Sequence, residues 1–189
     1  SKIKADEIFG IYHSKVPFVK QLTNKLMTAA QRNGKIKTIL NRKCRFPKYE
    51  PILKGNDWGK YIPPQDHERM LELQAMGPHM KDDEGEFIVD KDGNKQKNYW
   101  HENDSRRAFT YKALNKLIQG SAADMTKKAM LELYKEGITP HIQIHDELDI
   151  SVTNDLEAAK IKDIMEHAVD LQIPNKVDYE SGPNWGNIK

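Results

Sequence analysis

The sequence predicts an α+β fold, and three observations carry that prediction. Apolar residues recur at intervals of three and four over residues 2–33 and again beyond residue 104, which is helical periodicity. Between His141 and Val152 the interval drops to two, as in half-buried strands. From residue 104 onward the chain runs long helix, hairpin, helix, strand, an order that suits helices layered on a small antiparallel sheet.

Each element has a local reason. Residues 2–13 and 15–33 are predicted helices. Pro17 falls in a first turn, where a missing N–H is harmless, and Phe18, Leu22, Leu26 and Ala29 or Ala30 follow at helical spacing. Gly34 ends that helix. Residues 35–47 are expected to form a short extended pair turning at Asn41 and studded with Arg42, Lys43 and Arg45. Residues 48–103 are the least regular. A Pro- and Gly-rich connector leads to a short helix at 66–76 and a hairpin over 86–94 with Asp92-Gly93 as its turn. This stretch is read as an insertion or surface lobe without chemistry of its own.

A long helix is predicted from 104 to about 135, capped by Asp104 or Ser105. Tyr111, Leu114, Ile118, Ala122, Met125, Ala129 and Leu133 form its apolar stripe, and Lys112, Asn115 and Gln119 fall on another. Gly137 closes it. Ile142, Ile144, Leu148, Ile150 and Val152 then alternate with polar residues, and the apolar interval lengthens to four around His145-Asp146-Glu147. Two strands are therefore expected to meet in a tight turn at His145-Asp146. A helix at about 154–171 and a last strand near 175–180 complete the pattern, before a Gly-Pro-Asn-Trp-Gly tail. The expected division is 1–103 and 104–189.

Composition narrows the classes. The 189 residues suffice for one domain or two small units. No run of strictly apolar side chains exceeds three residues, which excludes a membrane-spanning helix and a signal-peptide core. The single cysteine, Cys44, excludes an internal disulfide and a cysteine zinc site. A soluble protein of intracellular type is expected. Charge is segregated: residues 1–60 carry 14 Lys and Arg against 4 Asp and Glu, and the remainder carries 16 against 24. A basic first third attracts polyanions, and an acidic remainder can hold divalent cations.

The chemistry concentrates at the predicted turn. Asp146 flanked by His145 and Glu147 sets three ionisable groups side by side, and a divalent cation is the usual remedy for such crowding. Mg²⁺ takes one or two carboxylates plus substrate phosphates, which one Asp on a rigid turn can serve. An exposed polar turn would use the same residue types. On the preceding helix, the Asn115 and Gln119 amides both donate and accept, so they can read minor-groove acceptors shared by all base pairs. Gly120-Ser121-Ala122-Ala123 allow a strand or a nucleic-acid backbone to approach closely.

These residues carry a resemblance. The stretches Tyr111-Lys-Ala-Leu-Asn-Lys-Leu-Ile-Gln-Gly-Ser-Ala-Ala-Asp124 and Ile142-Gln-Ile-His-Asp-Glu-Leu148 strongly resemble the family A, DNA polymerase I-like, DNA polymerases. Their phrasing is closest to bacteriophage-type members. His145-Asp146-Glu147 looks like the family's motif C, and residues 106–135 look like the palm helix before it. Pro17 to Gly34, with Thr38-Ile-Leu-Asn-Arg-Lys-Cys-Arg-Phe-Pro47, resembles part of the fingers, and Gly182-Pro-Asn-Trp185 resembles the C-terminal segment. The resemblance covers most of the chain except about 48–100.

The resemblance implies that Asp146 is a catalytic metal ligand, with Glu147 in support and His145 near the primer end. It implies that Asn115 and Gln119 meet the primer–template minor groove and that Arg106 supports the DNA or the site. Where the family often has Arg, position 111 is Tyr, with Lys112 beside it. Lys20, Lys25, Arg42, Lys43 and Arg45 would bind phosphates without reading sequence. Primer–template DNA, deoxynucleoside triphosphates and Mg²⁺ are the implied partners, with no membrane, and the implied location is the cytoplasm, that of the host for a phage protein.

Two-metal phosphoryl transfer needs a further carboxylate from another strand. The family's Asp-x-Ser-x-x-Glu motif has no counterpart here: Asp149-Ile-Ser151 is followed by Asn154 and lies after motif C. The Tyr-Gly that ends the family's nucleotide-binding helix does not occur either. The expectation is therefore a C-terminal part of a polymerase, inactive alone and completed by an N-terminal half on a separate chain. Ser1 is compatible with removal of an initiator Met, a proteolytic boundary or splicing of a split precursor. A non-catalytic DNA- or partner-binding remnant is the alternative. The HD-type metal phosphohydrolases share a literal His-Asp pair, but they place it on a helix, whereas here its flanks alternate with period two.

Overall fold

The computed structural model describes residues 2–187, so Ser1 and the reading attached to it lie outside the described residues. The observed elements are α1 (Lys2–Lys15), α2 (Pro17–Asn33), β1 (Lys35–Lys37), β2 (Lys43–Arg45), β3 (Tyr49–Pro51), α3 (His67–Ala75), β4 (Ser105–Arg107), α4 (Ala113–Lys135), β5 (Ile142–Ile144), β6 (Glu147–Asp149) and α5 (Asp155–His167). Three two-stranded antiparallel sheets pair β1 with β2, β3 with β4, and β5 with β6. The mixture is α+β. Two compact units emerge: one holds the chain up to Lys37 together with Lys43–Leu117, the other Thr38–Arg42 with the chain from Ile118 onward.

In the first unit, α2 starts with Pro17 inside its first turn and ends at Gly34, whose φ of 65° lets its N–H bond back to the Ala30 carbonyl. The chain then reverses into β1–β2, with Ile36 opposite Cys44 and Asn41 in the left-handed region at the bend. Ala30, Ile36, Phe46 and Ala113 form one buried cluster, with Leu26, Cys44 and Leu117 packed on it. Gln31 fastens α2 to the chain before α4: its side-chain N–H donates to the Arg107 carbonyl (2.8 Å) and the Thr110 hydroxyl (2.9 Å), and its oxygen accepts from Arg107 N–H.

Residues 48–103 have a core of their own. Met70, Leu73 and Trp100 are buried with Tyr49, Ile62, Met76 and Met80 against them. Buried Asn98 is fully used: its amide donates to the Leu73 and Gly77 carbonyls and its oxygen accepts from Trp100 N–H. Asp66 caps α3 through Arg69 N–H, at the start of the short helix expected over 66–76. The expected hairpin over 86–94 does turn at Asp92-Gly93, with Gly93 at φ 81°, but only the isolated bridges Lys81–Phe87 and Val89–Lys95 flank it. Asp90 takes the N–H groups of Asp92 and Asn94 on one carboxylate oxygen, which tightens the loop itself.

Three expectations need correction. The long helix begins at Ala113, and neither Asp104 nor Ser105 caps it. Ser105–Arg107 is instead a strand paired with Tyr49–Pro51, and Phe109 at φ 62° breaks the chain before the helix. Pairing with a distant strand is invisible to local periodicity. Second, no strand forms near 175–180: the Val177 N–H goes to the Glu166 carboxylate (3.0 Å) rather than to a ladder. Third, the predicted apolar stripe of α4 is buried only in its second half, at Ala129 and Leu133, while Tyr111, Ile118 and Ala122 are exposed. The first half faces inward with Ala113, Leu117, Gly120 and Asp124.

In the second unit, α5 starts at Asn154, whose side chain accepts from Glu157 N–H, and buries Ala158 and Ile161. Among the described residues no helix is long and apolar enough to cross a membrane.

Gly34 supports a specific prediction. A Cβ there would lie 2.7 Å from the Arg107 guanidinium carbon, at a positive φ. Gly34→Ala should destabilise the chain by about 1–2 kcal/mol or more, read as a lowered melting temperature in far-UV circular dichroism.

Candidate active-site hairpin and nucleic-acid-binding face

The hairpin carries the expected catalytic residues at its apex. Ile142 pairs with Asp149, Gln143 with Leu148 and Ile144 with Glu147, leaving His145 and Asp146 as the two-residue turn. His145 has φ 51°, and a positive φ in the loop is what a two-residue hairpin connection needs to match strand twist. The Gln143 amide bonds to the His145 carbonyl, and His141 N–H extends the ladder to the Asp149 carbonyl (2.8 Å). The turn is thus held by backbone and by Gln143, not by the ionisable side chains.

Those side chains are exposed. Neither Asp146 nor Glu147 has a side-chain hydrogen-bond or ion-pair partner among the described residues. Free, adjacent carboxylates on a fixed turn fit part of a hard-cation site, which takes oxygen donors. Among the described residues no group of three or more His, Cys, Asp and Glu side chains could hold a metal ion. Two carboxylates alone are fewer oxygen donors than such a cation takes.

The remaining site residues are distributed as follows. Lys112, Asn115, Arg45, Arg106, Lys20, Lys25 and Lys43 lie in the first unit and are exposed, as is Gln119 in the second. Asn115 and Gln119 are one helical turn apart on α4, so they share a face. Lys112 stands over the Phe109 ring, 5.1 Å from its centre. Arg106 is committed to an ion pair with Glu50 (2.8 Å) across the β3–β4 pair. None of the expected residues lines the cleft of about 600 Å³ in the 48–103 lobe, which is bounded by Ile62, Leu73, Met80, Tyr99 and Trp100.

Sequence reasoning missed one group. Asp124 is buried, its side chain 5% exposed, in the middle of α4. It accepts from the Thr38 hydroxyl and from Arg42 Nε (2.5 Å). Arg42 Nη2 also donates to the Gly120 carbonyl (2.7 Å), and Ile39 N–H donates to the Ser121 hydroxyl (3.1 Å). Burial opposes ionisation of Asp124, but the Thr38 hydrogen bond and the Arg42 guanidinium outweigh it and hold its carboxyl below the usual range. A signal was present: Asp124 continues the spacing of Ala113, Leu117 and Gly120, so a charge sits in phase with an inward face.

With this geometry in hand, comparison with known proteins decides the family. The family model described as DNA polymerase family A matches residues 1–187. The chain belongs to DNA polymerase family A. A DNA-directed DNA polymerase of Pseudomonas phage M6 is 33% identical over 180 residues, covering 95% of this chain and 19% of that protein. DNA polymerase I of Bacillus subtilis is 40% identical over 86 residues, 41% of this chain and 10% of that enzyme. The fold is similar to the POL domain of Pol1 from M. smegmatis, solved with DNA primer-template and dNTP, at a TM-score of 0.54 and 21% identity over 92% of this chain and 24% of that one. The chain thus spans a fifth or less of the length of these curated relatives.

The buried carboxylate predicts a pH-dependent stability difference. Its folded pKa lies below the ordinary 3.8, so its contribution is fully present above that value and is lost as pH falls through the folded pKa. Asp124→Asn should cost about 1.5–3 kcal/mol near pH 7. In urea titrations the gap between the two proteins should close as pH drops below 3.8.

Proposed function

We propose that this chain is the C-terminal part of a family A DNA-directed DNA polymerase and supplies its motif C carboxylates and a primer–template-binding face. Residues 1–103 are read as part of the fingers with an insertion at about 48–100, and residues 104–189 as part of the palm. The observation that carries the proposal is the coincidence of family membership over residues 1–187 with two exposed carboxylates, Asp146 on the hairpin turn and Glu147 at the start of β6, that have no side-chain partner among the described residues.

In this reading a primer 3′-hydroxyl attacks the α-phosphate of an incoming deoxynucleotide and pyrophosphate leaves. Asp146, with Glu147 beside it, would hold Mg²⁺ in part, and the ion would supply neutralisation of the charge that develops during phosphoryl transfer. The chain's own contribution is positional. The tight turn holds both carboxylates on a short, hydrogen-bonded hairpin, and His145 sits on the turn to meet the primer end. Asn115 and Gln119 contact the minor groove from one face of α4, with Lys112 flanking them. Lys20, Lys25, Lys43 and Arg45 bind phosphates regardless of sequence, while Arg106, paired with Glu50, and Arg42, paired with Asp124, support the DNA indirectly.

A second carboxylate from a different strand is still required, together with the family's motif A and motif B segments, which these 189 residues do not contain. The isolated chain is accordingly expected to bind primer–template DNA but not to extend it. Primer extension with Mg²⁺ and deoxynucleotides tests this, first with the chain alone and then with a family A fragment carrying motifs A and B. Extension should occur only on mixing and should vanish in Asp146→Ala. Extension by the chain alone, or normal extension by the mixed Asp146→Ala protein, would sink the proposal. Gln119→Ala should weaken duplex binding by about 1–3 kcal/mol, the scale of one good base-edge contact, measured by anisotropy of a labelled primer–template.

A further inference from the structure

Asp124 is a buried carboxylate that the reaction above does not use, and hydrogen bonds from Thr38, Ile39 and Arg42 converge on the short stretch of α4 that carries it. Arg42 reaches Gly120, Ile39 reaches Ser121, and Thr38 and Arg42 both reach Asp124. Residues 120, 121 and 124 form the helical turn immediately after Gln119. The bend Thr38–Arg42 is closed on itself as well: Thr38 N–H donates to the Arg42 carbonyl (3.0 Å), and Asn41 N–H to the Thr38 carbonyl (2.9 Å). A closed bend is thus clamped to one helical turn by four hydrogen bonds, and the only buried charge among them is Asp124.

We propose that Asp124 is a positioning residue for DNA binding: through Thr38 and Arg42 it fixes the 38–42 bend on the α4 turn that follows Gln119, and so fixes the rotation at which Gln119 meets the minor groove. The proposal rests on the reading of Gln119 as a groove contact. The physical need is plain. Gly120 lies inside the helix at this turn, and glycine holds a helix less firmly than alanine does. A side-chain amide reads a groove only if its helix is held to within a fraction of an ångström. A buried charge-assisted bond, with Arg42 also bonded to the Gly120 carbonyl, supplies that restraint from outside the helix.

The test is binding of the full chain to a fluorescein-labelled primer–template with a single-stranded template overhang. Wild type, Asp124→Asn, Thr38→Val, Gln119→Ala and the double variant Asp124→Asn/Gln119→Ala are compared, with melting followed by circular dichroism. Gln119→Ala and Asp124→Asn are each expected to raise Kd about tenfold, as for one lost base-edge contact. Thr38→Val, which removes one bond and keeps the ion pair, should raise it less. The double variant should bind no worse than about threefold below the weaker single variant, because a groove contact already lost cannot be lost again. A merely structural Asp124 would lower the melting temperature without this coupling. Folded Asp124→Asn that binds as wild type overturns the proposal, as does a double variant whose losses multiply fully. If neither Asp124→Asn nor Thr38→Val folds, Asp124 is a core support and the proposal is overturned. No binding by wild type, or unchanged binding by Gln119→Ala, defeats the groove reading itself and the proposal with it.

Discussion

The ion pair between Asp124 and Arg42 is the constraint that holds the 38–42 bend to α4 within the second unit. A carboxylate in the middle of a helix is a poor helix former, and burying it is unfavourable unless its charge is matched. Here both difficulties are met by one short bend of chain. Thr38 and Arg42 bond the carboxylate, Arg42 bonds a helix carbonyl and Ile39 bonds a serine hydroxyl, so the bend and the helix turn are each completed by the other. Removing any one partner leaves another polar group unsatisfied, which is why such networks are held as a unit.

The hairpin follows the opposite logic. Its apex keeps Asp146 and Glu147 in solvent and lets backbone hydrogen bonds and Gln143 hold the turn. Carboxylates used to hold a fold together are not available to a cation, and carboxylates available to a cation cannot be what holds the fold. Asp124 is buried and paired, whereas Asp146 is exposed and has no side-chain partner among the described residues.

The lobe at residues 48–103 has a similar lesson at smaller scale. Its regular structure is sparse, yet Met70, Leu73 and Trp100 are buried and Asn98 is fully bonded. Loop turns closed by Asp82 and Asp90 replace strands as the means of holding the chain. A buried core with few ladders gives weak periodicity, so the stretch reads as irregular although it packs.

Local chemistry was legible without coordinates. Pro17 and Gly34 bracket α2, Asp66 and Asn154 cap α3 and α5, and the lengthened apolar interval at His145-Asp146-Glu147 places the hairpin turn. Each of these depends on residues within a few positions of one another, so the sequence by itself determined them. It also carried the motifs by which the family was recognised. The strand at Ser105–Arg107, the late start of α4 at Ala113 and the missing strand near 175–180 depend on partners far along the chain, or on their absence. The burial of Asp124 belongs with them, because its partners lie more than 80 residues away. Only tertiary structure decides such features: a hydrogen bond or ion pair between distant segments forms when folding brings them together, and no periodicity records it.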